Sequence, residues 1–175
     1  SLYQNGLFRT YAYPPQFNSA NLSIRSFVNR GPEKVIGSRD GLFYINEATG
    51  IVKSFVKPVL TSDLILTICF YEGEYYIGTY GGGMMVLNPQ TLSLKYFTQG
   101  DTELFQKGHI FCVKPDNRGN LWIGTSQGLF CYNGQTKQIK NFTSTNSQLP
   151  EGNVYEVSFD STGKGWIATE TGMCI

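Results

Sequence analysis

The stretch Asp116-Asn117-Arg118-Gly119-Asn120-Leu121-Trp122-Ile123-Gly124-Thr125-Ser126-Gln127-Gly128-Leu129-Phe130 decides the fold, because its central phrase recurs along the chain. Val35-Ile36-Gly37-Ser38, Tyr76-Ile77-Gly78-Thr79, Trp122-Ile123-Gly124-Thr125 and Trp166-Ile167-Ala168-Thr169 follow one another at spacings of 41, 46 and 44 residues. Periods of this length mark radial sheet repeats. A glycine stands four residues beyond the small residue of each phrase, at Gly41, Gly82, Gly128 and Gly172. Each is expected to close a hairpin turn with positive φ.

Working outward, a β-like run precedes each phrase: Ile24 to Asn29, Ile65 to Tyr71, Ile110 to Pro115 and Val154 to Asp160. Turn residues join run to phrase, as in Asp116-Asn117-Arg118-Gly119-Asn120 and Asp160-Ser161-Thr162-Gly163-Lys164. A fourth run follows at Ile51 to Val56, Leu92 to Phe97 and Gln138 to Phe142. Four short strands in an up-and-down meander, repeated every forty-odd residues, predict an all-β propeller of four-stranded antiparallel blades, since one twisted sheet buries its faces only against its neighbours. The chain reads as a single propeller segment: residues 1–13 an outer strand, 24–56, 65–97 and 110–142 complete blades, and 154–175 the first three strands of another. The last blade is thus divided between the termini. Closing it within one chain, or between two copies as a homodimer, would remove an exposed sheet edge.

Composition agrees. Aromatic residues reach 14% and there are 20 glycines, while charged residues stop at 15% against roughly 25% in soluble domains. A net charge of +1 with no basic block excludes a phosphate-backbone binder, and no apolar stretch is long enough for a membrane helix. Cys69, Cys112, Cys131 and Cys174 form neither a CxxC pair nor a disulfide framework and read as free thiols.

Residues 116 to 130, with Gln148-Leu149-Pro150-Glu151-Gly152-Asn153-Val154 before the next strand, resemble the two-component regulator propeller repeat. The sequence departs from that pattern at Tyr80-Gly81-Gly82-Gly83-Met84, at the second-strand Trp of the first two blades, and at Ala168. The resemblance implies a periplasmic sensing module of a Bacteroides-type hybrid two-component system, a piece of a longer chain whose kinase lies elsewhere, responding to an oligosaccharide. A protein-interaction or assembly scaffold is the alternative, and a propeller lyase or glycosidase the third reading.

No catalytic, metal or cofactor site is expected. His109 is the only histidine, the acids are dispersed, and the cysteines lack metal-ligand spacing. Asp116 and Asp160 are expected to bind their own backbone, Trp122, Trp166 and Tyr76 to pack between blades, and Gly37, Gly78 and Gly124 to permit close approach of sheets. The loops joining strand two to strand three and strand four to the next blade gather on one face. There the candidate ligand residues are Arg39, Asp40, Tyr80, Gln127 and Glu170, with Lys107 and His109 from a longer loop, beside Ser126 and Tyr13.

Overall fold

The computed structural model describes residues 2–4, 7–9, 23–100 and 102–175. Three four-stranded antiparallel sheets follow one another in chain order. The first holds β3 (Ile24–Arg30), β4 (Glu33–Ser38), β5 (Leu42–Asn46) and β6 (Ile51–Phe55); the second β7 (Ile65–Tyr71), β8 (Glu74–Thr79), β9 (Met84–Leu87) and β10 (Leu94–Tyr96). The third holds β11 (Ile110–Pro115), β12 (Asn120–Thr125), β13 (Gly128–Asn133) and β14 (Ile139–Phe142). A three-stranded sheet closes the series: β15 (Val154–Phe159), β16 (Gly165–Thr169) and β17 (Gly172–Cys174). Each sheet is a meander, and the first strands β3, β7, β11 and β15 lie side by side, which is the radial plan of a propeller.

The divided blade is not made as an intrachain pair among the described residues. β2 (Leu7–Arg9), the expected outer strand, pairs antiparallel with β1 (Leu2–Gln4), and β17 carries no fourth strand. The remainder of that expected outer strand, including Tyr11 and Tyr13, falls outside the described residues. The outer strand expected over Leu92 to Phe97 is shorter, because Leu92 adopts positive φ (54°) and closes the preceding turn.

The two-residue period of strands sorts side chains to alternate faces. On β8, Tyr75 and Ile77 pack against the first sheet, and Tyr76 against the third; on β9, Met85 and Leu87 face one way and Met84 and Val86 the other. Trp122 turns toward the fourth sheet, between Phe142 (5.9 Å) and Phe159 (6.1 Å). The recurring phrase places its glycine on that same face. A Cβ at Gly37 would meet Ile65 at 2.5 Å, at Gly78 Ile110 at 2.7 Å, and at Gly124 the Val154 carbonyl at 2.6 Å, so sheet-to-sheet approach is what requires glycine.

The final Ser or Thr of the phrase clamps the following turn. Ser38, Thr125 and Thr169 each donate a side-chain hydroxyl to the carbonyl three residues on, at Gly41, Gly128 and Gly172. In the second sheet the clamp is one residue longer: Thr79 Oγ1 donates to the Gly83 carbonyl (2.9 Å). Positive φ therefore falls on Gly81 (77°) and Gly83 (71°) rather than on Gly82 as expected. The cause is α1 (Thr102–Lys107), a short helix within the loop after β10. It buries Leu104 and Phe105 between the second and third sheets and sets the Phe105 carbonyl where any Cβ on Gly83 would lie.

At the opposite end of the sheets, the hydroxyls of Tyr44 and Tyr75 both donate to Glu33 (2.7 Å each), tying the first sheet to the second. All four cysteines are free. Burial pushes the Cys69 thiol up to about 11 and Cys112 to about 12, so neither is a thiolate near neutral pH.

Candidate functional site

Every first strand breaks register at the same place. The pairing shifts between Ile24 and Ser26, Ile65 and Thr67, Ile110 and Cys112, and Val154 and Glu156. Each shift is a β-bulge with one extra residue, namely Arg25, Leu66, Phe111 and Tyr155, and a bulge re-aims the residue it inserts. On the third and fourth sheets that residue is aromatic. Phe111 and Tyr155 meet edge to face with ring centroids 5.1 Å apart, and Tyr155 is 44% exposed.

The row continues across the loop face. His109, two residues before the bulge, lies 6.1 Å from Phe111 and stacks at 4.0 Å on Tyr80, which comes from the β8–β9 loop and is 51% exposed. Four rings from three sheets thus form one surface. Its backbone is fixed from several sides: the Tyr80 amide donates to Leu64 O (3.0 Å), Ser62 Oγ donates to Tyr80 O (2.8 Å), and the Ser126 amide donates to His109 O (3.2 Å). Asn153 Nδ2 donates to the Tyr155 hydroxyl (3.1 Å). The His109 Nδ1 is buried and has no hydrogen-bond partner among the described residues, a polar atom held beside the ring surface.

The seven expected ligand residues separate into groups. Tyr80 and His109 are brought together. Gln127, with Ser126, lines a groove of about 280 Å³ between the β12–β13 turn and the loop from Thr143 to Gly152. The carboxylate of Glu170, which is exposed, accepts from the Asn153 amide (3.3 Å), beside Gly152 (φ 101°). Lys107 ends α1, exposed, where a cation suits the helix C-terminus. Arg39 and Asp40 are exposed at the β4–β5 turn of the first sheet, and the Arg39 amide donates to Ser23 O (3.1 Å). Phe111 and Tyr155 carry no signal in the sequence beyond their place at the second position of a first-strand run.

The arrangement suits stacking. His109 meets Tyr80 and Phe111 through their rings, at centroid distances of 4.0 and 6.1 Å. Among the described residues no group of His, Cys, Asp or Glu could hold a metal ion. Asp116 accepts from the amides of Arg118 and Asn120 and from the Trp122 indole (2.8, 2.9 and 2.9 Å), and Asp160 from the amides of Thr162 and Lys164, so both serve their own turns.

Residues 105–127 match the model of the two component regulator propeller family, the same family read from the sequence. The chain is similar in structure to the extracellular domain of a hybrid two component system of B. thetaiotaomicron, at 27% identity and TM-score 0.67, over 94% of this chain and 22% of that one. A second such domain from B. thetaiotaomicron aligns at 21% identity and TM-score 0.72, over 92% of this chain and 21% of that one. The WD40 β-propeller domain of Doa1 matches at 12% identity and TM-score 0.63, over 89% of this chain and 50% of that one, which speaks to the fold alone. The chain therefore spans about a fifth of the bacterial extracellular domains it resembles. No curated protein matches it.

Proposed function

We propose that this chain is a non-catalytic segment of a periplasmic sensor propeller, and that it recognises a neutral or weakly acidic oligosaccharide on its loop face. The observation that carries the reading is the row Tyr80, His109, Phe111 and Tyr155, which offers aromatic surface drawn from three sheets. Apolar faces of sugar rings stack on such surfaces, and the nearby Ser126, Gln127 and Asn153 supply donors and acceptors for hydroxyls. The similarity to extracellular domains of hybrid two component systems supports a sensing role. A ligand that touches rings of three sheets at once favours the arrangement in which those rings are in line, and that differential affinity is what shifts a kinase elsewhere in the parent protein.

Titration calorimetry of the folded chain against plant and host oligosaccharides tests this. One sugar should bind, and Tyr80→Ala or Tyr155→Ala should weaken it about tenfold, the equivalent of one aromatic contact. Absence of heat with every sugar, from a chain shown to be folded, overturns the reading.

The exposed apolar residues of the terminal sheets favour a second reading, an assembly role. Phe27 is 54% and Ile24 48% exposed on the first sheet, Met173 65% and Ile175 60% at the last. Pairing of β17 with a second copy would cover the edge that carries no further strand among the described residues. A molar mass that stays monomeric at all concentrations rejects it.

A further inference from the structure

We infer that α1 and the glycine turn it presses on are the device that joins Tyr80 to the loop-face row, with Gly83 as a positioning residue; the inference rests on the loop-face reading above. Tyr80 and His109 belong to different sheets, and Tyr80 is 51% exposed, so burial does little to hold their ring centroids 4.0 Å apart. Their backbones are held instead. In all four sheets the residue after the Ser or Thr of the recurring phrase (Arg39, Tyr80, Ser126 or Glu170) donates its amide to the residue before its own first strand (Ser23, Leu64, His109 or Asn153). That bond fixes each turn to its own sheet. The second sheet adds one that crosses to the next: the Gly83 amide donates to the carbonyl of Gly108 (2.9 Å), the residue before His109.

The crossing bond needs a wedge on one side and a bare backbone on the other. Gly108 closes α1, its amide donating to Leu104 O (2.7 Å), and the buried Leu104 and Phe105 anchor that helix between the sheets. α1 thereby carries Gly108 and His109 up to the turn of the second sheet. There Gly83 (φ 71°) lies against the Phe105 carbonyl, and a Cβ would collide with it and, at 2.7 Å, with the Gln106 nitrogen. The turn is pinned from its other side, because Thr61 Oγ1 donates to Gly82 O (2.6 Å), Ser62 Oγ to Tyr80 O (2.8 Å) and Thr79 Oγ1 to Gly83 O (2.9 Å). A side chain at Gly83 must therefore push α1 outward, and His109 moves with it, away from Tyr80.

Proton NMR of the full chain reads the ring pair directly, since His109 is the single histidine and its ring C–H signals need no sorting from others. The Tyr80 ring should displace these signals from their free-histidine positions, and Tyr80→Ala should remove most of the displacement. Gly83→Ala should do the same with the Tyr80 side chain still in place. Phe105→Leu, which trims the wedge and leaves the turn intact, should give a smaller loss in the same direction and serves if Gly83→Ala does not fold. Gly73→Ala is the control: a comparable left-handed strain (φ 85°) in the same sheet, with nothing within 4 Å of the new methyl, should leave the signals where they are. Toward an oligosaccharide that binds the row, Gly83→Ala should weaken affinity about tenfold. The double variant with Tyr80→Ala should be no weaker than either alone, because both remove one contact. Histidine signals unmoved in folded Gly83→Ala and Phe105→Leu, or moved equally by Gly73→Ala, overturn the inference whether or not a sugar binds. Signals displaced as expected in a chain that binds no sugar support the positioning role and reject the loop-face reading instead.

Discussion

The third and fourth sheets are written with nearly the same words, Leu121-Trp122-Ile123-Gly124-Thr125 and Gly165-Trp166-Ile167-Ala168-Thr169, each after an aspartate turn. Their strands pair in the same way, down to the bulge in β11 and β15. Yet Trp122 is held between Phe142 and Phe159, and Trp166 is 38% exposed with the ammonium of Lys164 at 5.6 Å from its ring. The contrast separates what a sheet does alone from what its neighbour adds. Hairpin clamps and turns form within a sheet; the burial of the Trp and the demand for glycine come from the sheet that follows.

The sharpest way to break that contrast is at the glycine. Gly124→Ala places a methyl 2.6 Å from both Cys112 Sγ and Val154 O, and should cost about 1–3 kcal/mol, the range for overpacking. Ala168→Gly, at an exposed position without a following sheet among the described residues, should cost no more than about 1 kcal/mol, the price of glycine's extra chain freedom. Urea midpoints measure both. Equal losses would mean that sheet approach is not what selects glycine.

The aspartates give a smaller difference. Burial opposes ionisation of Asp116, but hydrogen bonds from Trp122, Asn120 and Arg118 outweigh it and hold the carboxyl below its ordinary 3.8. Because the folded value is depressed, the stabilisation is present above the unfolded pKa and is lost as pH falls through the folded one. Asp116→Asn should therefore lower the stability at neutral pH, read from urea unfolding, by about 1–2 kcal/mol for a partly exposed carboxylate. It should converge with the parent chain in acid. Asp160→Asn, on an exposed turn, should show the same sign with a smaller change. A constant gap between parent and Asp116→Asn down to strong acid would show that ionisation of this turn is not coupled to folding.

How far these features could be read in advance follows the same division. β7 and β11 begin and end where their apolar runs do, the interblade glycines declare themselves by position, and the aspartate turns by chemistry, because each is decided within a few residues. α1 was not legible. Six residues with only Leu104 and Phe105 turned inward show no helical period, and the helix exists because those two side chains fill the gap between sheets. The shift of the turn from Gly82 to Gly83 follows from that helix and was equally hidden. The site was half visible: the loop-face rule found Tyr80 and His109, but Phe111 and Tyr155 reach the row through bulges, and a bulge leaves the residue order of a strand unchanged.

Fluorescence should sharpen the comparison without disturbing the fold, since the chain has only two tryptophans and they occupy the equivalent position in the two sheets. Trp166→Phe leaves emission from Trp122 alone, enclosed by two rings and bonded through its indole N–H to Asp116 (2.9 Å). That emission should be blue-shifted and resist acrylamide. Trp122→Phe leaves Trp166, open to solvent, with red-shifted emission and quenching several-fold stronger. If Trp166 proves as protected as Trp122, something covers the last sheet in solution. A loss of that protection on dilution would then identify the cover as a second copy of the chain.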